Sequence, residues 1–146
     1  MNRKSFTMLE VIIVVILMGV IAAFAIPSYN KAIEKQRYRN AKLNLSTIYT
    51  ASRIFKAKNQ DYPLMDLNTL TAINNYFALS ISDPNFVYSW SSQSEGGDYF
   101  YAWANKPDGS YYVIITDKTS VDYQDGVACC GSSWPCPDGT TVGDCN

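Results

Sequence analysis

Apolar residues crowd one end of the chain. From Phe6 to Ile26 they run almost unbroken, interrupted by Thr7, Glu10 and the small Gly19. About 20 residues rising about 1.5 Å each match a hydrocarbon core of about 30 Å, so this stretch predicts one membrane-spanning helix. Downstream the pattern changes to steps of three and four: Tyr38, Ala41, Leu45, Ile48 and Phe55, with Ala51 and Ser52 bridging the gap. That spacing puts one apolar stripe on a continuing helix, a face suited to packing beneath a sheet. Asn59 and then Asp61-Tyr62-Pro63 predict its end near Lys58. Within it, Gly19 and Pro27 are expected to kink the rod or partly unwind it near Ala22–Ala23, since proline removes an intrahelical hydrogen bond.

Beyond residue 59 the periodicity shortens. Asp66 is expected to cap a short helix carrying Leu67, Leu70, Ile73 and Tyr76. Three segments rich in aromatic and β-branched residues follow, at Phe86–Ser91, Tyr99–Ala104 and Tyr111–Thr116. Gly96-Gly97 and Lys106-Pro107-Asp108-Gly109 are turn formers between them, which predicts an antiparallel meander. The expected fold class is α+β: a long N-terminal helix, membrane-spanning in its first half, packed against a small antiparallel sheet with a disulfide-bonded C-terminal loop. The organisation reads as a leader at 1–5, a transmembrane half of the helix at 6–27, an amphipathic stem at 28–58 and a globular head at 59–146. A chain of 146 residues suffices for one such head with one modest core.

Composition narrows the chemistry. Histidine is absent, which removes Ser-His-Asp, Cys-His and His-based zinc sites. No nucleophile–base pair or phosphate loop is present in the sequence, so no catalytic residues, metal ligands or cofactors are assigned and the chain is read as a non-enzyme. The net charge of −1 hides a division. Lys31, Lys35, Arg37, Arg39, Lys42, Arg53, Lys56 and Lys58 make the stem basic, with Glu34 alone opposing them, whereas the head is acidic and carries only Lys106 and Lys118. Both faces read first as solvated surface, and second as a source of head-to-stem attraction between neighbouring copies. Tyr88, Trp90, Tyr99, Tyr101, Trp103, Tyr111 and Tyr112 could stack single-stranded nucleic acid, but the cations lie on the stem. Core and cross-strand packing is the better account of these rings, and a nucleic-acid partner is disfavoured.

Glu10 is the chemically conspicuous residue, because a carboxylate in an apolar helix costs several kcal/mol unless it is paired, protonated or near the interface. It lies in the string Lys4-Ser5-Phe6-Thr7-Met8-Leu9-Glu10-Val11. That string resembles the class III signal of type IV prepilins and pseudopilins, closely over the first third of the chain and loosely beyond. The resemblance implies cleavage between Ser5 and Phe6 by a prepilin peptidase, N-methylation of Phe6, and pairing of Glu10 with the Phe6 amine of a neighbouring subunit. An opposite charge in low dielectric would offset the desolvation of Glu10 and fix the register between subunits. Gly19 and Pro27 fall where pilins commonly carry glycine and proline, and Asp61-Tyr62-Pro63 with Asp83-Pro84 is similar to a pattern following the stem of many pseudopilins. Ser5 departs from the family's usual glycine before the cut; it is still small. A secretory signal peptide is the rival reading of the leader, opposed by the length of the apolar run and the lack of a good small-x-small site.

The family resemblance implies a homo-oligomeric helical filament, an inner-membrane assembly platform as partner, and residence in the inner membrane as a single-pass protein before assembly into an extracellular pilus or periplasmic pseudopilus. Two functions follow: a structural pilus subunit, or alternatively a pseudopilin or minor pilin serving secretion, adhesion or DNA uptake. The stem cations next to the translocated head oppose the positive-inside tendency, but long domains cross largely regardless of charge. Cys129, Cys130, Cys136 and Cys145 in a loop-rich, translocated tail read as two disulfides. A bridge between the neighbours Cys129 and Cys130 is strained, leaving two pairings, of which the nested set of Cys130–Cys136 inside Cys129–Cys145 is preferred. Adjacent cysteines without C-x-x-C pairs argue against zinc. Asp117, Asp122 and Asp125 with Gly126 could offer oxygen ligands to calcium, as in some pseudopilins, although the spacing does not match an EF-hand and a solvated acidic turn is the simpler reading.

Overall fold

In the computed structural model, which describes residues 7–93, 99–118, 123–131 and 136–138, the apolar run and the amphipathic stem form one helix, α1 (Met8–Asn59). It ends one residue beyond Lys58, and Gln60 follows in the left-handed region at φ 68°. Residues Ala22 and Ala23 are helical, not unwound: α1 is continuous with Pro27 inside it. The chain divides into two compact units between Glu34 and Lys35.

In the second unit the predicted stripe of α1 becomes the floor of the core. Tyr38, Ala41, Leu45, Ile48 and Ser52 are buried, while Phe55 is half-buried and packs against Tyr76 and Phe77 with ring centroids 5.3 and 6.0 Å away. Above it lies an antiparallel sheet in the order β1 (Asp66–Leu67), β2 (Val87–Gln93), β3 (Tyr99–Asn105), β4 (Tyr112–Thr116) and β5 (Cys129–Gly131). Each strand neighbours the next in sequence, so the meander is as predicted and gains a short strand at each edge. Period-two alternation sends Tyr88 and Trp90 of β2, Phe100, Ala102 and Ala104 of β3, and Val113 and Ile115 of β4 inward, where all are buried. Trp90 and Phe100 stack at 5.7 Å, and Tyr62 sets its ring edge-on to both.

Two local expectations are corrected. Asp66 does not cap a helix; it pairs with Ser91 across β1 and β2 and accepts a 2.5 Å hydrogen bond from the Ser91 hydroxyl. Leu67 is therefore a buried strand residue. The short helix, α2 (Leu70–Phe77), begins at Thr69, whose extended backbone and Oγ1, accepting from the Ala72 N–H at 3.1 Å, make it the N-cap. Second, part of the tail is sheet and not loop: Cys129, Cys130 and Gly131 pair with Ile114, Val113 and Tyr112. Gly131 allows that pairing because a Cβ there would collide with the Tyr112 ring.

Candidate assembly helix

Every residue from Met8 to Ile26 is exposed in the single chain. Phe24 is 77% and Ile21 67% accessible. The segment is long and apolar enough to cross a membrane. Burying one such large aliphatic or aromatic side chain is worth about 1.5–3 kcal/mol, and contiguous exposed apolar surface on this scale marks a membrane or protein contact.

Glu10 sits in the first turn of α1 and is exposed among these residues. The turn is closed by Thr7: the Glu10 N–H donates to Thr7 Oγ1 at 3.2 Å, and the Val11 N–H donates to the Thr7 carbonyl at 3.3 Å. Thr7-Met8-Leu9-Glu10 has the S/T-x-x-E spacing of a capping box, the sequence signal that marks Thr7 as the residue starting α1. A carboxylate in a first turn also meets the positive end of the helix dipole. Glu10 thus places one carboxyl group at a fixed height on an apolar stretch of helix. Gly19 has nothing within 4 Å of where a Cβ would be, so one copy places no steric demand on it. Ser5 and Phe6, the expected cleavage and methylation positions, lie outside the described residues.

The stem carries a second group of residues that composition alone did not mark. The Tyr49 hydroxyl donates to Asp125 Oδ1 at 2.6 Å, and Arg53 reaches Asp125 Oδ2 at 3.5 Å. Gly126, at φ +72°, lies over the Tyr49 ring, where a Cβ would come within 3.1 Å. Asp117 accepts from the Tyr62 hydroxyl at 2.5 Å and from the Phe100 N–H at 2.8 Å. Burial foremost, then the Asp125 carboxylate, pushes the Tyr49 hydroxyl up to about 12. Burial and Asp117 raise Tyr62 likewise, and burial with Asp83 raises Tyr88. Of the three aspartates suggested as calcium ligands, Asp125 ties the chain after β4 to the stem and Asp117 ties it to Tyr62 and β3; Asp122 lies outside the described residues, among which no cluster suited to a metal occurs. The Asp61-Tyr62-Pro63 motif acquires its reason here, since Tyr62 is both a buried ring and the Asp117 donor. Asp83, of Asp83-Pro84, accepts from the Tyr88 hydroxyl at 2.7 Å and the Asn85 N–H at 2.9 Å.

The aromatic residues divide between the faces of the sheet. Tyr88, Trp90 and Tyr111 are core, whereas Tyr101, Trp103 and Tyr112 line an open groove of about 390 Å³ on the outer face with Asn105, Ile114 and Tyr123. The remaining cations of the head lie over rings, Lys106 by Tyr111 and Lys118 by Tyr99. Cys130 and Cys136 form a disulfide with Cα atoms 6.3 Å apart, as in the nested set. Cys129 is also disulfide-bonded, and Cys145, its expected partner, lies outside the described residues.

Two curated proteins resemble the chain. Type IV major pilin protein PilA of Myxococcus xanthus is 37% identical over 61 residues, covering 42% of this chain and 28% of that protein. Type II secretion system core protein G of Vibrio cholerae serotype O1 is 33% identical over 103 residues, covering 68% of this chain and 70% of that protein. The first match thus spans little more than a quarter of its relative's length, the second more than two thirds. No family model and no solved structure matches the chain.

Proposed function

The chain belongs to the type IV pilin and pseudopilin family, and from that premise we propose that it is a structural filament subunit acting by polymerisation, without catalysis. It is made as a single-pass inner-membrane protein, trimmed by a prepilin peptidase between Ser5 and Phe6, methylated on Phe6, and passed by an inner-membrane platform into an extracellular or periplasmic fibre. Glu10 pairs with the Phe6 amine of the neighbouring copy, which sets the axial register as α1 leaves the bilayer. Gly19 and Pro27 supply a point where the rod bends during packing. The observation that carries this reading is the exposure of the whole Met8–Ile26 face with one carboxylate in its first turn.

A pseudopilin or minor pilin of a type II secretion or DNA-uptake system is the second reading, and the similarity to a protein named type II secretion system core protein G is what supports it. One pair of measurements tests the proposal. Mass spectrometry of native material is expected to find a chain starting at N-methylated Phe6, and Glu10→Ala is expected to leave a membrane-inserted, folded subunit that forms few filaments. An intact Met1 terminus, or normal filaments from Glu10→Ala, would refute it.

A further inference from the structure

Alternation along the strands leaves the sheet a second face. Tyr101, Trp103 and Asn105 on β3 and Tyr112 and Ile114 on β4 occupy the positions that do not enter the core. With Tyr123 they line the open groove of about 390 Å³, a size within the about 300–1,000 Å³ usual for small-molecule sites. Register gathers them: Trp103 stands opposite Ile114 and Asn105 opposite Tyr112. Core packing accounts for the buried Tyr88 and Trp90, whereas Tyr101 and Trp103 are half-buried and Tyr112 is exposed. The outer rings are nevertheless braced. Tyr101 meets Tyr99 and Tyr123 edge-on, with centroids 5.6 and 6.2 Å away. The Tyr112 ring lies across Gly131, in the space a side chain there would fill. Rings fixed in this way lose little rotamer freedom when a ligand arrives.

We infer that this groove binds a neutral β-linked pyranose chain, whose sugar rings stack on Tyr101, Trp103 and Tyr112. Charge narrows the ligand first. None of the six lining residues is charged, and the head's two cations lie over other rings, Lys106 over Tyr111 at 5.3 Å and Lys118 over Tyr99 at 4.3 Å. The rest of the head's charge is carboxylate, so a nucleic acid or acidic polymer meets repulsion where it needs cations. Polarity narrows it further. Phenol hydroxyls on Tyr101, Tyr112 and Tyr123, the Trp103 indole N–H and the Asn105 amide stand among the ring faces. A wholly apolar partner would take those groups out of water and offer them no bond. A pyranose with equatorial substituents has an apolar C–H face and a rim of hydroxyls that donate and accept, so it satisfies ring faces and polar tips together. Shape selects the linkage. Tyr101 and Trp103 are two residues apart on one strand, about 6.6 Å at about 3.3 Å per residue. A β-linked chain lies extended and flat along such a row, whereas an α-linked one coils away from it. The inference concerns the head alone and stands whether or not the chain polymerises.

Calorimetric titration of the full chain with cellohexaose tests it, in a phosphocholine detergent so that no sugar headgroup competes. Saturable binding is expected. Trp103→Ala and Tyr112→Ala are each expected to weaken it at least about tenfold with the melting temperature unchanged, and Trp103→Phe, which keeps a ring, by less than about threefold. Should Trp103→Ala melt lower than wild type, Tyr112→Ala, at the exposed rim of the groove, decides. No saturable binding by the wild-type chain, or undiminished binding by Tyr112→Ala, would overturn the assignment. Maltohexaose, an oligogalacturonate or a thymidine oligonucleotide binding as tightly as cellohexaose would overturn it too. So would a chain that ignores cellohexaose but self-associates through Tyr112, which would give the groove to a second copy. Failure of filament assembly leaves these readouts untouched, so the two readings fall separately.

Discussion

Ser52 is polar, fully buried and in the middle of the stem's apolar stripe. Its hydroxyl donates to the Ile48 carbonyl at 2.8 Å and accepts from the Trp90 indole N–H at 3.0 Å, across 38 positions of sequence. A buried donor stripped of its acceptor costs about 1–3 kcal/mol, so Ser52→Ala should destabilise the head by that amount. The check is denaturant unfolding, with the midpoint lowered and its slope unchanged. Tyr49 predicts a different dependence. Its folded pKa is raised from 10.0 to about 12, because burial and Asp125 both favour the neutral phenol. A raised acid stabilises the fold fully below the unfolded value and loses that contribution as pH climbs through the folded one. Stability should therefore hold below pH 10 and fall between 10 and 12, with Tyr62 and Tyr88 acting in the same direction. Melting temperature against pH tests this, and Tyr49→Phe should shallow the decline.

Among the elements, α1 was readable because a run of apolar residues and a three–four stripe are local properties. The central strands were readable too, as alternating aromatic and β-branched residues, with edges within two positions of those predicted. The outer strands were not. Asp66–Leu67 and Cys129–Gly131 are too short to carry a pattern and exist because β2 and β4 offer them unpaired edges. The Cys130–Cys136 bridge anchors β5 to the residues that follow it. A native disulfide typically contributes about 2–4 kcal/mol, and a loop this short belongs at the low end. Thiol titration should find no reactive cysteine in the native protein and all four after reduction in denaturant. Reduction should lower the melting temperature without abolishing the β2–β3–β4 sheet.

For the molecule as a whole, the boundary between Glu34 and Lys35 separates an apolar rod from a unit with its own core. A chain starting at Lys35 is expected to be a water-soluble monomer that melts in one cooperative transition, while the full chain needs detergent or self-association. Sedimentation and circular dichroism distinguish these outcomes. The membrane-length helix, its one carboxylate and the helix-plus-meander class were settled by sequence alone, since span length, hydropathy and short-range periodicity depend on residues near one another along the chain. Tertiary structure decided the rest: that Thr69 and not Asp66 caps α2, that Ser52 serves Trp90, that Asp117 and Asp125 bind tyrosines, and which face of the sheet each ring takes. Apart from the local Thr69 cap, those contacts join segments tens of residues apart, and their partners are set by strand register and by burial of the shared core, quantities that no local window of sequence contains.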